Sequence, residues 1–250
     1  MKGKITFIQI LLVFTVLICG YSIIENILDK KDSASNKDNI NSTEYLDTSM
    51  PQTGESKTDR LRKYNELYLQ NNDMAGWIKI SGTNIDYPVM HNSQSNAYYL
   101  HRNFNREDSN AGIPFLDYQC NPQIQNDNMI VYAHNMKNGT MFHDLLKYQD
   151  KSFCDEHREI EFDTLYEIGV YEIYAVLRTK VGSENEFKYY DFIDAKTEDE
   201  YNAFVNECIS RSIYNSGIIP QYGDKLLTLS TCSYNTDNER FVVFARKKTE

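Results

Sequence analysis

The chain has 250 residues, and its formal net charge at pH 7 is -10. No block of lysine or arginine stands out, so the basic footprint of a nucleic-acid-binding protein is missing and no nucleic-acid partner is expected. Its 5 cysteines are too few and too scattered to indicate a disulfide framework.

Residues 5–24 are apolar apart from isolated Thr, Gln and Ser side chains. About 20 helical residues reach about 30 Å, the hydrocarbon thickness of a bilayer. We therefore predict a short charged start and a transmembrane signal anchor over residues 1–28. A cleaved signal peptide is the alternative, although no small-residue cleavage site follows the apolar run. The flanking positive charges leave the orientation of the segment open.

Residues 29–57 are rich in Asp, Asn, Ser, Thr and Lys, and a segment of this composition cannot bury a core. We predict a polar linker there, which is extracytoplasmic in the orientation that the resemblance below implies, and one folded domain over residues 58–250. A helix over residues 58–71 is expected to open this domain, because apolar side chains recur in it at helical spacing.

Beyond this helix, short apolar runs bounded by Asn, Gly, Ser and Asp predict a mainly β fold, which the many Tyr and Phe residues also favour. The expected strands lie near residues 76–80, 84–90, 113–117, 129–133, 159–163, 170–178, 225–231 and 240–246. A small helix is expected over residues 140–148. The clearest helix covers residues 197–213, where Thr197 and Glu200 form a capping-box pattern and Cys208 belongs to the apolar face. Few helices among many strands indicate a barrel or a sandwich.

The strands ending at Cys232 and beginning at Arg240 carry the strongest indication of chemistry. If they are adjacent and antiparallel, these two residues lie side by side. A permanent cation lowers the pKa of a thiol from its usual value of about 8.5 and so favours the nucleophilic thiolate. Arginine cannot act as the base, and His134, after the apolar run 129–133, is the best candidate for that role.

On spacing alone, a purely structural role for Cys232 and His134 also stays open. A cysteine in a strand is usually a small core residue, and a lone histidine at a strand end usually has no catalytic role. Cys154 and His157 lack the second pair of ligands that a zinc site needs. We expect no metal ion and no other cofactor.

Two motifs resemble the sortases, the transpeptidases that attach proteins to Gram-positive cell walls. They are LSTC at residues 229–232 with the following Arg240, and YAHNM at residues 132–136. Three earlier segments resemble the class B branch in particular: MAGWIKI at 74–80, NIDYPVM at 84–90 and YYLH at 98–101. The helix between the sixth and seventh strands also fits that branch. The resemblance covers about residues 58–250.

This resemblance implies an eight-stranded sortase-type β-barrel with an N-terminal helix and a long helix before the last two strands. Cys232 would be the nucleophile, His134 the general acid and base, and Arg240 the residue that stabilises the oxyanion and positions the substrate. The implied substrate groove is lined by Ser230, Asn96 and Leu100.

The implied substrates are secreted proteins with a C-terminal sorting signal that is cleaved after Thr. The acyl group would pass through a Cys232 thioester to the amine of a cell-wall peptide or peptidoglycan precursor. The same resemblance implies a single-pass protein of the cell membrane, with a cytoplasmic N-terminus and an extracellular catalytic domain. Two alternatives stay open: a papain-like cysteine hydrolase, whose nucleophile lies at a helix N-terminus, and a non-enzymatic surface-binding module on a membrane stalk.

Overall fold

A computed structural model describes residues 57–182, 186–232 and 238–249 of the chain. Its strands are β1 (Met74–Lys79), β2 (Asp86–His91), β3 (Phe115–Leu116), β4 (Asn128–Tyr132), β5 (Glu159–Thr164), β6 (Val170–Lys180), β7 (Leu226–Cys232) and β8 (Glu239–Lys247). They close a barrel in the order β1-β2-β3-β4-β7-β8-β6-β5. The predicted eight-stranded β-barrel is confirmed, because each expected strand is present within a few residues of its expected position.

Two neighbouring pairs in the barrel are parallel, β2 with β3 and β4 with β7. Parallel neighbours cannot be joined by a tight hairpin, so the chain needs a long crossover between them. The crossover from β4 to β7 contains β5, β6 and most of the helices. It brings the ends of two strands from distant parts of the sequence to one edge of the barrel.

The first helix, α1 (Lys57–Gln70), confirms the prediction for residues 58–71. Tyr64 and Leu67 are buried on its inner face. The Tyr64 hydroxyl donates a hydrogen bond of 2.8 Å to the buried carboxylate of Asp163 on β5, and Arg60 pairs with the same carboxylate. Apolar packing and this buried ion pair together fix the helix against the barrel.

The longest crossover helix, α3 (Glu198–Arg211), lies between β6 and β7 as predicted. Its first turn is capped by Thr197, whose hydroxyl accepts the Glu200 amide hydrogen at 3.2 Å, a contact that typically stabilises a helix by about 1 kcal/mol. The Glu200 carboxylate accepts from the Lys196 amide, one residue earlier than in a standard capping box. Cys208 is fully buried on the inner face, and burial raises its thiol pKa, as expected for a structural cysteine.

Shorter helical segments complete the crossovers. They are a second α-helix, α2 (Lys151–Glu156), and the 3₁₀ helices Tyr99–His101, His143–Gln149 and Tyr189–Asp191. The 3₁₀ helix His143–Gln149 corresponds to the small helix predicted over residues 140–148. The other three segments were not predicted, because runs of three to six residues are too short to show a helical period.

Within the described ranges, no helix is long and apolar enough to cross a membrane. The predicted anchor over residues 1–28 lies outside the described residues. The predicted linker over residues 29–57 does too, except for its last residue, which begins α1.

Candidate active site

The register of three neighbouring strands places the predicted catalytic residues in one row. Tyr132 at the end of β4 pairs with Ser230 on the parallel strand β7. Two residues further along each chain lie His134 and Cys232. Cys232 in turn pairs with Arg240 on the antiparallel strand β8, which confirms the predicted neighbourhood of those two residues.

Two hydrogen bonds keep the chain of β4 beside β7 beyond the last regular strand pair. The Ala133 amide donates to the Ser230 carbonyl at 3.3 Å. The Thr231 hydroxyl donates to the Ala133 carbonyl at 2.8 Å. The backbone that carries His134 is therefore tied to the strand that carries Cys232.

A cleft of about 460 Å³ opens at this end of the barrel. Five of the predicted site residues line it: Asn96, Leu100, His134, Ser230 and Arg240. Cys232 completes the row between His134 and Arg240 as the last residue of β7. Residues separated by more than a hundred positions in the sequence are thus brought to one cavity.

His134 is half-buried, and its imidazole is held by the backbone. Its Nε2 lies 2.9 Å from the carbonyl oxygen of Leu100. Because a carbonyl only accepts hydrogen bonds, Nε2 carries the hydrogen in this contact. The His134 ring also lies 5.6 Å from the ring of His101, a neighbour that sequence spacing did not reveal.

The carbonyl of Leu100 is held in place by the loop that follows it. The carbonyls on either side of it are bonded, since Ile113 donates to Tyr99 at 3.2 Å and Ser109 donates to His101 at 3.0 Å. Gly112 has φ +58, and a Cβ at this position would lie 2.4 Å from the Leu100 oxygen. A side chain there would displace the acceptor of His134, so the site requires glycine at position 112.

Asn96, on the wall of the cleft, has a fixed amide orientation. Its Nδ2 donates to a carboxylate oxygen of Asp117 at 2.8 Å, and its Oδ1 accepts from the Tyr118 amide at 2.8 Å. Leu100 lies four positions further on the same wall. The predicted pair of groove residues therefore faces one cavity.

Ser230 and two tyrosines form another part of the cleft. Ser230 is buried, and its Oγ lies 2.7 Å from the hydroxyl of Tyr189. The neighbouring Tyr190 donates to the Glu186 carboxylate at 2.8 Å. Burial and this carboxylate raise the pKa of Tyr190 to about 12, so its hydroxyl stays neutral at physiological pH.

Arg240 supplies a permanent cation to the cleft. It is partly buried near the start of β8 and pairs with Cys232 on one side and with Thr179 of β6 on the other. A guanidinium carries five N–H donors and stays protonated in proteins, and one of these donors bonds to the Glu239 carbonyl at 3.2 Å. The row thus offers a thiol, an imidazole and a cationic donor, the components of acyl transfer through a covalent intermediate.

Sequence reasoning missed several residues of the cleft. Tyr132 lies two positions before His134, so strand alternation could have placed it on the same face. Tyr189 lines the cleft from a distant segment, and Asp117 lies behind the cleft wall, where it bonds to Asn96 and Tyr132. Nothing in the local sequence of either residue indicates its position. Cys120 and Cys154 are buried in the core, where burial raises the thiol pKa of Cys120 to about 12. Among the described residues, no group of three or more His, Cys, Asp or Glu could hold a metal ion.

Comparison with known proteins agrees with this architecture. The family model of the sortase domain matches residues 78–248. Sortase B of Staphylococcus aureus is 32% identical over 249 residues, which cover 98% of this chain and 97% of that protein. Sortase B of Listeria monocytogenes is 33% identical over 241 residues, with coverage of 95% and 92%.

A solved structure of an S. aureus sortase B–substrate complex matches with a TM-score of 0.70 at 27% identity, and it covers 91% of this chain and 98% of that chain. The sequence relatives and this solved structure agree over nearly the whole chain, and the family model matches residues 78–248. The protein therefore belongs to the sortase family of cysteine transpeptidases, in its class B branch.

Proposed function

We propose that this protein cleaves the C-terminal sorting motif of secreted proteins after a Thr and transfers the acyl group, through a thioester on Cys232, to an amine of the cell wall. The observation that carries the proposal is the row of His134, Cys232 and Arg240 on neighbouring chain segments, at the end of the barrel where His134 and Arg240 line one cleft. A nucleophilic thiol, an acid–base group and a donor for the oxyanion are the parts that such a reaction uses.

In the first half-reaction, the Cys232 thiolate attacks the carbonyl carbon of the Thr residue. A C–S bond forms, and the electron pair of the carbonyl moves to its oxygen. The intermediate then collapses, the C–N bond breaks, and the leaving amine takes a proton from the His134 imidazolium. The products are a thioester on Cys232, a neutral imidazole and the released C-terminal peptide.

In the second half-reaction, a wall-peptide or peptidoglycan-precursor amine attacks the thioester carbonyl. Neutral His134 accepts the proton of that amine, the C–S bond breaks, and the thiolate leaves. The enzyme returns to its starting charge state, and one amide bond replaces another. Water attacking in place of the amine would give hydrolysis with the same residues.

The roles of His134 and Arg240 follow from their hydrogen bonding and charge. Because Nε2 of His134 donates to the Leu100 carbonyl, we assign the proton transfers to Nδ1. Arg240 is the donor for the oxyanion, since its guanidinium is a cationic donor and a charged donor is strongest where negative charge develops. Asn96, Leu100 and Ser230 would contact the sorting motif along the cleft.

A membrane tether is part of this proposal. The apolar segment over residues 5–24 has the length of a bilayer span, and a tether would hold the enzyme where exported substrates and wall amines meet. We expect the full-length chain to sediment with membranes after washing in alkaline carbonate. A chain that begins at residue 29 should appear in the soluble fraction, and its retention on washed membranes would contradict the tether.

The function is tested with fluorogenic peptides incubated with the full-length chain in mild detergent. The panel carries NPQTN-like and LPxTG-like motifs, each with and without an added amine such as a glycine peptide. We expect one motif class to be cleaved after Thr and the amine to appear in the product by mass spectrometry. The added amine should also raise turnover if resolution of the thioester limits the rate.

Two outcomes would count against the proposal. Cleavage that yields only the free acid at saturating amine would indicate a hydrolase, the nearest alternative. Absence of cleavage across the panel, together with a Cys232 that resists alkylation, would favour the non-enzymatic surface module instead.

A further inference from the structure

We propose that Asp117 is a positioning residue that fixes the hydrogen-bonding face of the cleft wall and so sets the affinity for the sorting motif. It does not line the cleft itself, and it is absent from the row of His134, Cys232 and Arg240. The inference rests on the proposed function, because it assumes that the sorting motif binds along Asn96 and Tyr132.

The carboxylate of Asp117 is almost completely buried, with 2% of the residue exposed, and it sits directly after β3. Its Oδ2 accepts from Nδ2 of Asn96 at 2.8 Å and from the hydroxyl of Tyr132 at 3.1 Å. Its Oδ1 accepts from the backbone amide of Gln119 at 2.9 Å. A buried carboxylate is stable only when such donors satisfy it, so these contacts are mutually dependent.

The first consequence concerns the amide of Asn96. The Asp117 carboxylate can only accept, so it requires the NH₂ group of Asn96 on its side, and the Tyr118 amide requires the oxygen on the other. The two ends of the amide are therefore not interchangeable. The bond to Asp117 uses one of the two N–H donors of the Asn96 side chain, and the bond from Tyr118 uses one of the two lone pairs of its oxygen. The side chain has a second donor and a second lone pair with which to bind a peptide.

The second consequence concerns Tyr132, which lines the cleft two residues before His134. Its hydroxyl proton is directed to Asp117, so the hydroxyl oxygen is left with the role of an acceptor. Burial and the charge of Asp117 both raise the pKa of Tyr132, which keeps this proton in place. The wall thus presents an acceptor that suits an N–H group of an extended peptide.

Replacement of Asp117 by Asn removes this arrangement with almost no change in volume. An amide has only one oxygen, so its NH₂ group must face either the Gln119 amide or the pair formed by Asn96 and Tyr132. In the first orientation the NH₂ group meets the backbone N–H of Gln119; in the second it meets the NH₂ group of Asn96, and the Tyr132 hydroxyl loses its acceptor. We expect Asp117→Asn to raise KM for the cleaved peptide about tenfold, because a charge-assisted hydrogen bond is lost, and to change kcat by less than about threefold.

A double-mutant cycle with Tyr132→Phe tests whether the two residues act together. Both variants are made in the full-length chain, and KM and kcat are measured with the peptide that the wild type cleaves. Each single variant should raise KM. The double variant should raise it clearly less than the product of the two single effects, because the contact is already broken in either one.

Asp163→Asn is the matched control. Asp163 is also a buried carboxylate that accepts from a tyrosine hydroxyl, that of Tyr64, but it belongs to β5 and does not line the cleft. We expect this control to lower the melting temperature and to leave KM within about twofold of the wild type. A general loss of stability would therefore be distinguished from loss of positioning.

The outcomes separate this inference from the proposed function. If the wild type cleaves the peptide and Asp117→Asn has an unchanged KM, or a lower kcat at unchanged KM, the positioning role is wrong and the proposed function stands. If the wild type cleaves no peptide, the proposed function fails first. Should Asp117→Asn not fold, Asn96→Ala and Tyr132→Phe test the same wall, and unchanged KM values in both would overturn the inference.

Discussion

Replacing Cys232 with alanine is expected to abolish both peptide cleavage and transfer to an added amine. Without the thiol no acyl intermediate can form, and removal of a covalent nucleophile typically costs about 10⁴-fold or more in kcat. The measurement is the rate of release of the fluorescent peptide at saturating substrate, with product masses recorded in parallel. Peptide binding should remain, because the residues that line the cleft are unchanged.

The matched control is Cys208→Ala, which removes a buried thiol from α3 away from the cleft. This control should keep kcat within about twofold of the wild type while losing some stability. Alkylation gives a second measurement that does not depend on the substrate. Peptide mapping after iodoacetamide treatment should show Cys232 modified well before Cys120, Cys154 and Cys208, since burial raises the pKa of those three thiols. Undiminished cleavage by Cys232→Ala would rule out the thioester.

Replacing His134 with glutamine is expected to lower kcat by about 10²- to 10⁴-fold, the usual contribution of general acid–base catalysis. The glutamine amide can still donate to the Leu100 carbonyl, but it cannot carry a proton to the leaving amine. Both acylation and transfer to the amine should slow, because each half-reaction needs one proton transfer. Single-turnover kinetics, followed as the appearance of the acyl-enzyme mass, would separate the two steps.

His143→Gln is the control for this change. His143 lies in the same connection after β4, and its Nδ1 contacts the Asn135 side chain at 2.9 Å. It does not line the cleft, so we expect kcat within about twofold of the wild type. A loss as large in His143→Gln as in His134→Gln would mean that the connection as a whole, and not the His134 imidazole, is what activity depends on.

The alternatives considered from the sequence are separated by the position of Cys232. A papain-like enzyme has its nucleophile at the N-terminus of a helix, whereas Cys232 ends strand β7 of a closed barrel. The papain-like alternative is therefore wrong. Membership of the sortase family supports an enzyme in preference to a non-enzymatic surface module.

Much of the fold could be read from the sequence, because local patterns reflect local physics. The strands were predicted from apolar runs between turn residues, and α3 was predicted from its cap at Thr197 and its apolar face. The side-by-side arrangement of Cys232 and Arg240 could also be predicted, since two strands joined by a short polar loop are usually neighbours. The 3₁₀ helix at Tyr99–His101 could not, because it is only three residues long and is held by hydrogen bonds from Ser109 and Ile113 in the irregular loop that follows it.

The sequence by itself determined the class of fold, the strand of each predicted catalytic residue and the pairing of Cys232 with Arg240. Only the tertiary structure decided which groups surround them. The Leu100 carbonyl that binds His134 and the buried Asp117 that orients the cleft wall come from other parts of the chain. The physical reason is that hydrogen bonds in a buried site depend on distance and direction in space, and closure of the barrel sets both, whatever the separation along the chain.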